Sequence, residues 1–357
     1  MNPEKPRPAE ASDPQDRSRA ALFGAIEAGG SKVVCAVGTD PSHLVASTVI
    51  ATTSARETLE KVVAFFAGQQ RLGHHLEAIG VASFGPLDLD PASPTYGYIT
   101  TTTKPGWAGT DLLGPLTRAF EVPIALDTDV NGAAYGEYRW GASAGLTSSV
   151  YLTVGTGIGG GRVLPGRTPH GAWHPEMGHL QVRRHPADTF AGVCPFHHDC
   201  LEGLASGPAI SARSGRPAQH LDGDRGAAVE MEAWYLAQLV SAVIYLLCPQ
   251  RIVLGGGVLG LPGLLEAVRL ETTRRLAGAL HQLVESAPMR DYLVAPGLGP
   301  LSGVLGAIAM AEQVAHTQPH PRPTQSALPG PPPAAARHVS LNAVLDRPRQ
   351  HTQGERY

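Results

Sequence analysis

Residues 22–40 read LFGAIEAGGSKVVCAVGTD, two apolar runs around a Gly-Gly turn, and residues 148–164, SSVYLTVGTGIGGGRVL, repeat the pattern. Short apolar runs bounded by glycine predict paired strands. Helices and further strands succeed each hairpin. ETLEKVVAFFAGQQRLG (57–73) carries apolar residues at helical spacing and stops at a glycine, LEAIGVASFGPLDL (76–89) predicts a strand ending in Gly85-Pro86, and GTDLLGPLTRAF (109–120) predicts a helix. VPIALDTDV (122–130) reads as a buried strand and NGAAYGEYRWG (131–141) as a helix. After the second hairpin, 228–247 is a long apolar helix and RIVLGGGV (251–258) a strand entering a glycine turn. Two halves that each open on a strand–glycine turn–strand hairpin predict a duplicated α/β unit with a cleft between its domains, where small-molecule sites gather.

The composition narrows the function classes. The chain has 357 residues, enough for two domains, and 28 basic against 31 acidic side chains. No basic excess points to nucleic acid or an anionic membrane as partner. No apolar run is expected to reach the length that crosses a bilayer. The N-terminal MNPEKPRPAEASDPQDRSRA lacks the apolar stretch of a signal peptide, so a cytoplasmic location is expected. Residues 1–20 and 317–357 are polar and Pro-rich and are expected to be solvated, disordered tails. In a reducing compartment, close-set cysteine and histidine read as metal ligands before disulfides.

Three features carry chemistry. Glycine clusters stand at predicted strand ends: Gly29-Gly30, Gly155 to Gly161, and Gly255 to Gly257. Glycine lets the backbone turn and lets an anion approach its amides, although a tight hairpin alone explains any single pair. No P-loop motif is present. Asp127 and Asp129 fall at the end of the buried strand, where functional groups of α/β folds collect. Either can act as a base or cap the following helix, and residue type does not choose between them. Cys194, His197 and Cys200 form C-x2-H-x2-C, three ligands for tetrahedral zinc. His179 is a candidate fourth, in competition with His170, His174, His185 and His198.

These segments together resemble the ROK family of sugar kinases, over about residues 22–315. IEAGGSK (26–32) resembles the family's first phosphate loop, TGIGGG (156–161) its second, and LGGGV (254–258) its adenosine-side turn. DTDVNGAA (127–134) resembles the catalytic-aspartate block, and HPEMGH (174–179) with CPFHHDCLEG (194–203) the sugar and zinc segment. The resemblance implies the actin-like ATPase (ribonuclease H-like) fold, two α/β domains closing over ATP and a hexose, and a homodimer. It divides the chain at residues 21–126 and 127–316, with the last helix, about 301–316, available to pack back on the first domain.

Carried onto this sequence, the resemblance places Asp129 as catalytic base. It places Gly29, Gly30, Ser31, Lys32, Thr156, Gly157, Gly159, Gly160, Gly255, Gly256 and Gly257 around ATP. Gly85, Asn131, Glu176, His179 and Glu202 are assigned to the sugar, and His179, Cys194, His197 and Cys200 to zinc. Magnesium would bridge the phosphates. The C-x2-H-x2-C loop with its LEGLASGPAI continuation resembles the family's bacterial fructokinases and implies phosphorylation of fructose on its 6-hydroxyl. Glu27, where many members have Asp, fits that branch. The rivals are a glucose or mannose kinase of the same family and a sugar-sensing repressor, which carries a helix-turn-helix domain ahead of the first phosphate loop.

Overall fold

The computed structural model describes residues 21–216, 225–280 and 288–317, so residues 1–20 and all but the first residue of the expected C-terminal tail lie outside it. β1 (Leu22–Ala28) and β2 (Lys32–Asp40) form the first antiparallel hairpin, with Ile26 opposite Cys35. β3 (His43–Ala51) pairs antiparallel with β2. α1 (Ala55–Arg71) follows, its first turn capped by Ser54, whose hydroxyl accepts the Glu57 N–H at 3.3 Å. Thr58, Val62 and Phe66 recur at helical spacing and bury that face of α1 against the sheet.

β4 (Leu76–Ser83) lies parallel to β1, and β7 (Ile124–Thr128) parallel to β4, which gives the order β3-β2-β1-β4-β7. Between them, β5 (Tyr98–Ile99) and β6 (Thr110–Asp111) make a small sheet, and α2 spans Leu113–Ala119. The helix expected from residue 109 thus starts later. Asp111 is held in β6, and its carboxylate accepts the Gly114 N–H at 2.7 Å.

α3 (Asp129–Trp140) begins directly after β7. This corrects one expectation, that Asp129 ends the strand. The boundary between 126 and 127 cuts a strand, and the chain leaves the first sheet only after Thr128. Asp129 is not a strand residue; it stands in the first helical turn, capped by the Thr128 hydroxyl, which accepts the Asn131 N–H at 3.2 Å.

The second half repeats the opening move. β8 (Ser149–Val154) and β9 (Ile158–Val163) form an antiparallel hairpin, and β10 (Arg251–Gly255) runs parallel to β8 as β4 does to β1. α4 (Leu201–Ala205), α5 (Gly207–Ser214) and α6 (Arg225–Leu247) precede β10; α7 (Leu264–Leu276), α8 (Met289–Tyr292), β11 (Leu293–Val294) and α9 (Ser302–His316) come after it. The sheet order is β11-β10-β8-β9. The stretch Gly226–Leu247, 22 residues, is long and apolar enough to cross a bilayer, contrary to the expectation that no run reaches that length. Tyr235, Leu236, Leu239, Val240 and Val243 place much of that apolar surface in the core of the second half.

α9 returns to the first half. Val304, Leu305, Ala307 and Ile308 pack with Phe23, Ala25, Ala78 and Ala82 on the face of the first sheet away from α1. α3 and α9 cross so closely that a Cβ on Gly306 would fall 1.7 Å from the Gly132 carbonyl oxygen. The buried carboxylate of Glu137 fixes the same crossing: it accepts N–H bonds from Ala142 (2.6 Å), Gly297 (2.9 Å) and Leu298 (3.0 Å) and the Ser302 hydroxyl (2.7 Å). A fully satisfied buried carboxylate holds its partners rigidly.

Candidate active site

The turns of the two hairpins and the turn after β10 are built from backbone. In the first, Gly29 N–H donates to the Lys32 carbonyl (2.9 Å), and Thr52 braces the turn by donating its hydroxyl to the Gly29 carbonyl (2.8 Å) and its N–H to that of Ser31 (3.0 Å). Gly30 faces open space, and Ser31 and Lys32 are exposed. In the second, Gly155 N–H donates to the Gly157 carbonyl at 2.9 Å, with Thr156 at the exposed tip. In the third, Gly256 has φ 93° and a Cβ there would lie 2.3 Å from the Val154 carbonyl oxygen, so only glycine brings this turn against β8. Gly257 opens onto free space; a Cβ on Gly255 would strike the Tyr151 hydroxyl at 2.5 Å.

Gly159 and Gly160 do not belong with them. Both lie inside β9, paired with Thr153 and Leu152 of β8. A Cβ on Gly159 would meet Val130 of α3 at 2.9 Å, and one on Gly160 the Met177 sulfur at 2.3 Å. Packing explains why neither position carries a side chain.

Asp127 and Asp129 separate clearly. Asp127 is buried and fully used: it accepts Asn131 Nδ2 at 2.7 Å and the Thr168 hydroxyl at 2.6 Å, and His170 Nε2 lies 3.0 Å away. Asn131, 1% exposed, donates to Asp127 and accepts the Arg162 N–H at 3.2 Å. Each end of its amide is engaged within the protein. Among the described residues Asp129 accepts only the Val130 N–H, at 2.9 Å, and it is partly exposed. The protein around it pushes its carboxyl up to about 6.

Asp129 lies within electrostatic reach of acids on both sides. Burial, then the Asp129 charge, pushes Glu27 at the end of β1 up to about 7, against the opposing pull of Lys32 and the Val304 N–H. Burial, then Glu202 and then Asp129, pushes Glu176 up to about 7. Glu202, in α4, accepts the Ile158 N–H at 2.9 Å, next to the turn between β8 and β9. Gly85 sits at the end of β4, against the ring of His174.

His179, Cys194, His197 and Cys200 converge, with one ligand atom from each lying within 4.8 Å of the others. His179 Nδ1 is 3.8 Å from Cys194 Sγ and 3.6 Å from Cys200 Sγ, and His197 Nδ1 is 3.8 Å from Cys194 Sγ. Bonds of about 2.3 Å to sulfur and about 2.0 Å to nitrogen at tetrahedral angles give an N···S edge of about 3.6 Å. The four side chains therefore fit a closed tetrahedral zinc site. The competing histidines are placed elsewhere: His170 on Asp127, His174 on the Leu87 N–H (3.0 Å), His185 on the Ala187 N–H (3.2 Å), and His198 exposed.

Sequence reasoning missed Thr168, the bonds of His170 and His174, and Glu137. Thr168 and the two histidines lie in an irregular segment with no periodicity, and their partners are remote in the chain. Glu137 reads as one more polar helix residue, and no local signal marks its burial.

The ROK family profile matches residues 23–314. The chain is 44% identical over 293 residues to the fructokinase of Zymomonas mobilis, covering 81% of this chain and 96% of that one. It is 40% identical over 298 residues to the fructokinase of Streptococcus mutans, covering 82% and 98%. The crystal structure of the ROK hexokinase from Thermus thermophilus superposes with a TM-score of 0.65 at 30% identity, over 82% of this chain and 98% of that one.

Proposed function

This chain belongs to the ROK family, and we propose that it is a fructokinase, transferring the γ-phosphoryl group of ATP to the 6-hydroxyl of fructose. The observation that carries the reading is the contrast at the head of α3: Asp129 accepts only the Val130 N–H among the described residues, whereas Asp127 is engaged by Asn131, Thr168 and His170. The identity to two fructokinases along nearly their whole length supports fructose as the acceptor.

Asp129 orients the 6-hydroxyl and takes its proton as the sugar oxygen bonds to the γ-phosphorus and the bond to the ADP oxygen breaks. The amides of Gly30, Thr156, Gly157, Gly256 and Gly257 line the phosphate path, and the Gly29 N–H closes the first turn on the Lys32 carbonyl. Magnesium would supply charge neutralisation for the transferring phosphoryl group. Glu176, Glu202 and His179 present acceptors and a donor to the sugar. With its Nδ1 towards the thiols, His179 keeps Nε2 for a hydroxyl. Zinc on His179, Cys194, His197 and Cys200 would be closed by protein ligands, so its part is to hold His179 and α4 in place. A homodimer belongs to the same reading, supported by the exposed apolar end of α6, where Leu246 is 77% exposed beside Tyr245.

The test is ADP release over fructose, glucose, mannose and N-acetylmannosamine. A kcat/KM highest for fructose is expected. A preference for glucose would overturn the acceptor and leave the kinase standing.

A further inference from the structure

Leu87 follows the Gly85-Pro86 turn in the first half of the molecule and is 2% exposed. A buried backbone N–H is rarely left without a partner. The partner here is a side chain from the second half: Leu87 N–H donates to Nε2 of His174 at 3.0 Å, a buried contact across 87 positions of sequence. An acceptor at Nε2 leaves the proton of the neutral ring on Nδ1. That atom lies 3.4 Å from Oε1 of Glu176. Burial holds the imidazole below its ordinary range, which keeps Nε2 an acceptor; Asp127 and His170 are the other titratable groups acting on it. Gly85 packs on the ring, its would-be Cβ 3.6 Å from Nε2 and Cε1.

The segment that carries His174 is pinned upstream as well. Thr168 donates its hydroxyl to Asp127 at 2.6 Å, and His170 Nε2 lies 3.0 Å from the same carboxylate at the end of β7. Residues 168–174 therefore reach from the second half to two strand ends of the first, and Glu176 comes immediately after. The spacing between the Gly85–Leu87 turn and Glu176 is set by one ring.

We propose that His174 is a positioning residue of the sugar site, fixing the Gly85–Leu87 turn against Glu176 so that a hexose meets both at one spacing. It governs affinity for the sugar and the choice among sugars, not the handling of ATP. This rests on the sugar-kinase reading above.

The experiment uses the full chain with His174→Leu, which removes the acceptor at similar bulk, and His174→Gln, whose side-chain carbonyl reaches the Nε2 position. KM for fructose, KM for ATP, kcat, the fructose-to-glucose ratio of kcat/KM and Tm are measured for each. The Leu variant is expected to raise the fructose KM about tenfold or more and to change the fructose-to-glucose ratio, with the ATP KM within about twofold, because small misplacements of substrate-positioning groups are costly. The Gln variant should recover most of the fructose KM. A fructose KM within about twofold in a well-folded Leu variant overturns the proposal. So does a rise of both KM values together with a lower Tm and no recovery in Gln.

If the Leu variant does not fold, His174→Asn replaces it, since the shorter amide cannot reach Leu87; equal fructose KM values for Asn and Gln then overturn the proposal. An unaltered chain that phosphorylates no hexose would defeat the kinase reading itself. An active chain whose variants lack the split defeats only the role of His174.

Discussion

Two regions of the molecule are made of different material. The glycine turns at residues 29–32, 155–157 and 255–257 offer backbone amides, and their side chains matter by being absent. The segment from Thr168 to Glu202 offers carboxylates, imidazoles and thiols, nearly every one held by a named partner. Backbone sites tolerate changes of chemistry and fail on added volume; side-chain sites behave the other way. Asp129 stands where the two meet and should respond most strongly.

Asp129→Asn keeps the shape and removes the base, and kcat should fall by at least about a hundredfold with Tm little changed. Burial pushes the Asp129 carboxyl up to about 6, and a base works only when ionised. In the unaltered protein kcat/KM should therefore fall as pH drops through about 6. Near-normal turnover of the variant would move the role elsewhere, since Asp127 is already spent on Asn131, Thr168 and His170.

Cys200→Ser acts on the side-chain half. Zinc content and fructose affinity should fall together, the latter by about tenfold or more, because supports of this kind hold a site in working geometry. The ATP KM should change less. Zinc-free protein with normal fructose kinetics would break the distinction between the two sides.

The glycines sharpen it. Gly256→Ala forces a side chain onto φ 93° and against the Val154 carbonyl, and it should lower stability by about 1–3 kcal/mol and raise the ATP KM. Gly159→Ala should lower stability by a similar amount, about 1–3 kcal/mol from overpacking on Val130, with the ATP KM unchanged. Equal effects on ATP would return Gly159 to the phosphate turn.

This pair also shows what the sequence could and could not say. The hairpin-led duplication was legible because apolar runs and glycine stops are local, and the actin-like fold follows from them through the family. The reason for each glycine was not legible: Gly157 and Gly159 stand two apart in one run, yet one lies in a turn and the other in a strand crowded by α3. Asp129 looked like a strand residue because the Thr128 cap, which starts the helix there, leaves the apolar pattern unchanged. His170 and His174 looked like spare ligands because their partners, Asp127 and the Leu87 N–H, come from another part of the chain.

The smallest effect is expected at His198. It sits beside His197 in the C-x2-H-x2-C loop, and by residue type either could hold the metal. The fold separates them: His197 offers Nδ1 at 3.8 Å from Cys194 Sγ, whereas His198 is exposed and contributes backbone, its N–H donating to the Cys194 carbonyl at 2.9 Å. His198 also has φ 57°, a left-handed position. His198→Ala should leave zinc content and fructose KM unchanged and change stability by less than about 1 kcal/mol, since both residues carry the same left-handed penalty. His198→Gly relieves that penalty at the cost of greater freedom in the unfolded chain, so it should be equally small in effect. His197→Ala should lose zinc. If His198→Ala loses zinc and His197→Ala keeps it, the ligand set is wrong by one residue, and the loop must turn its other imidazole inward.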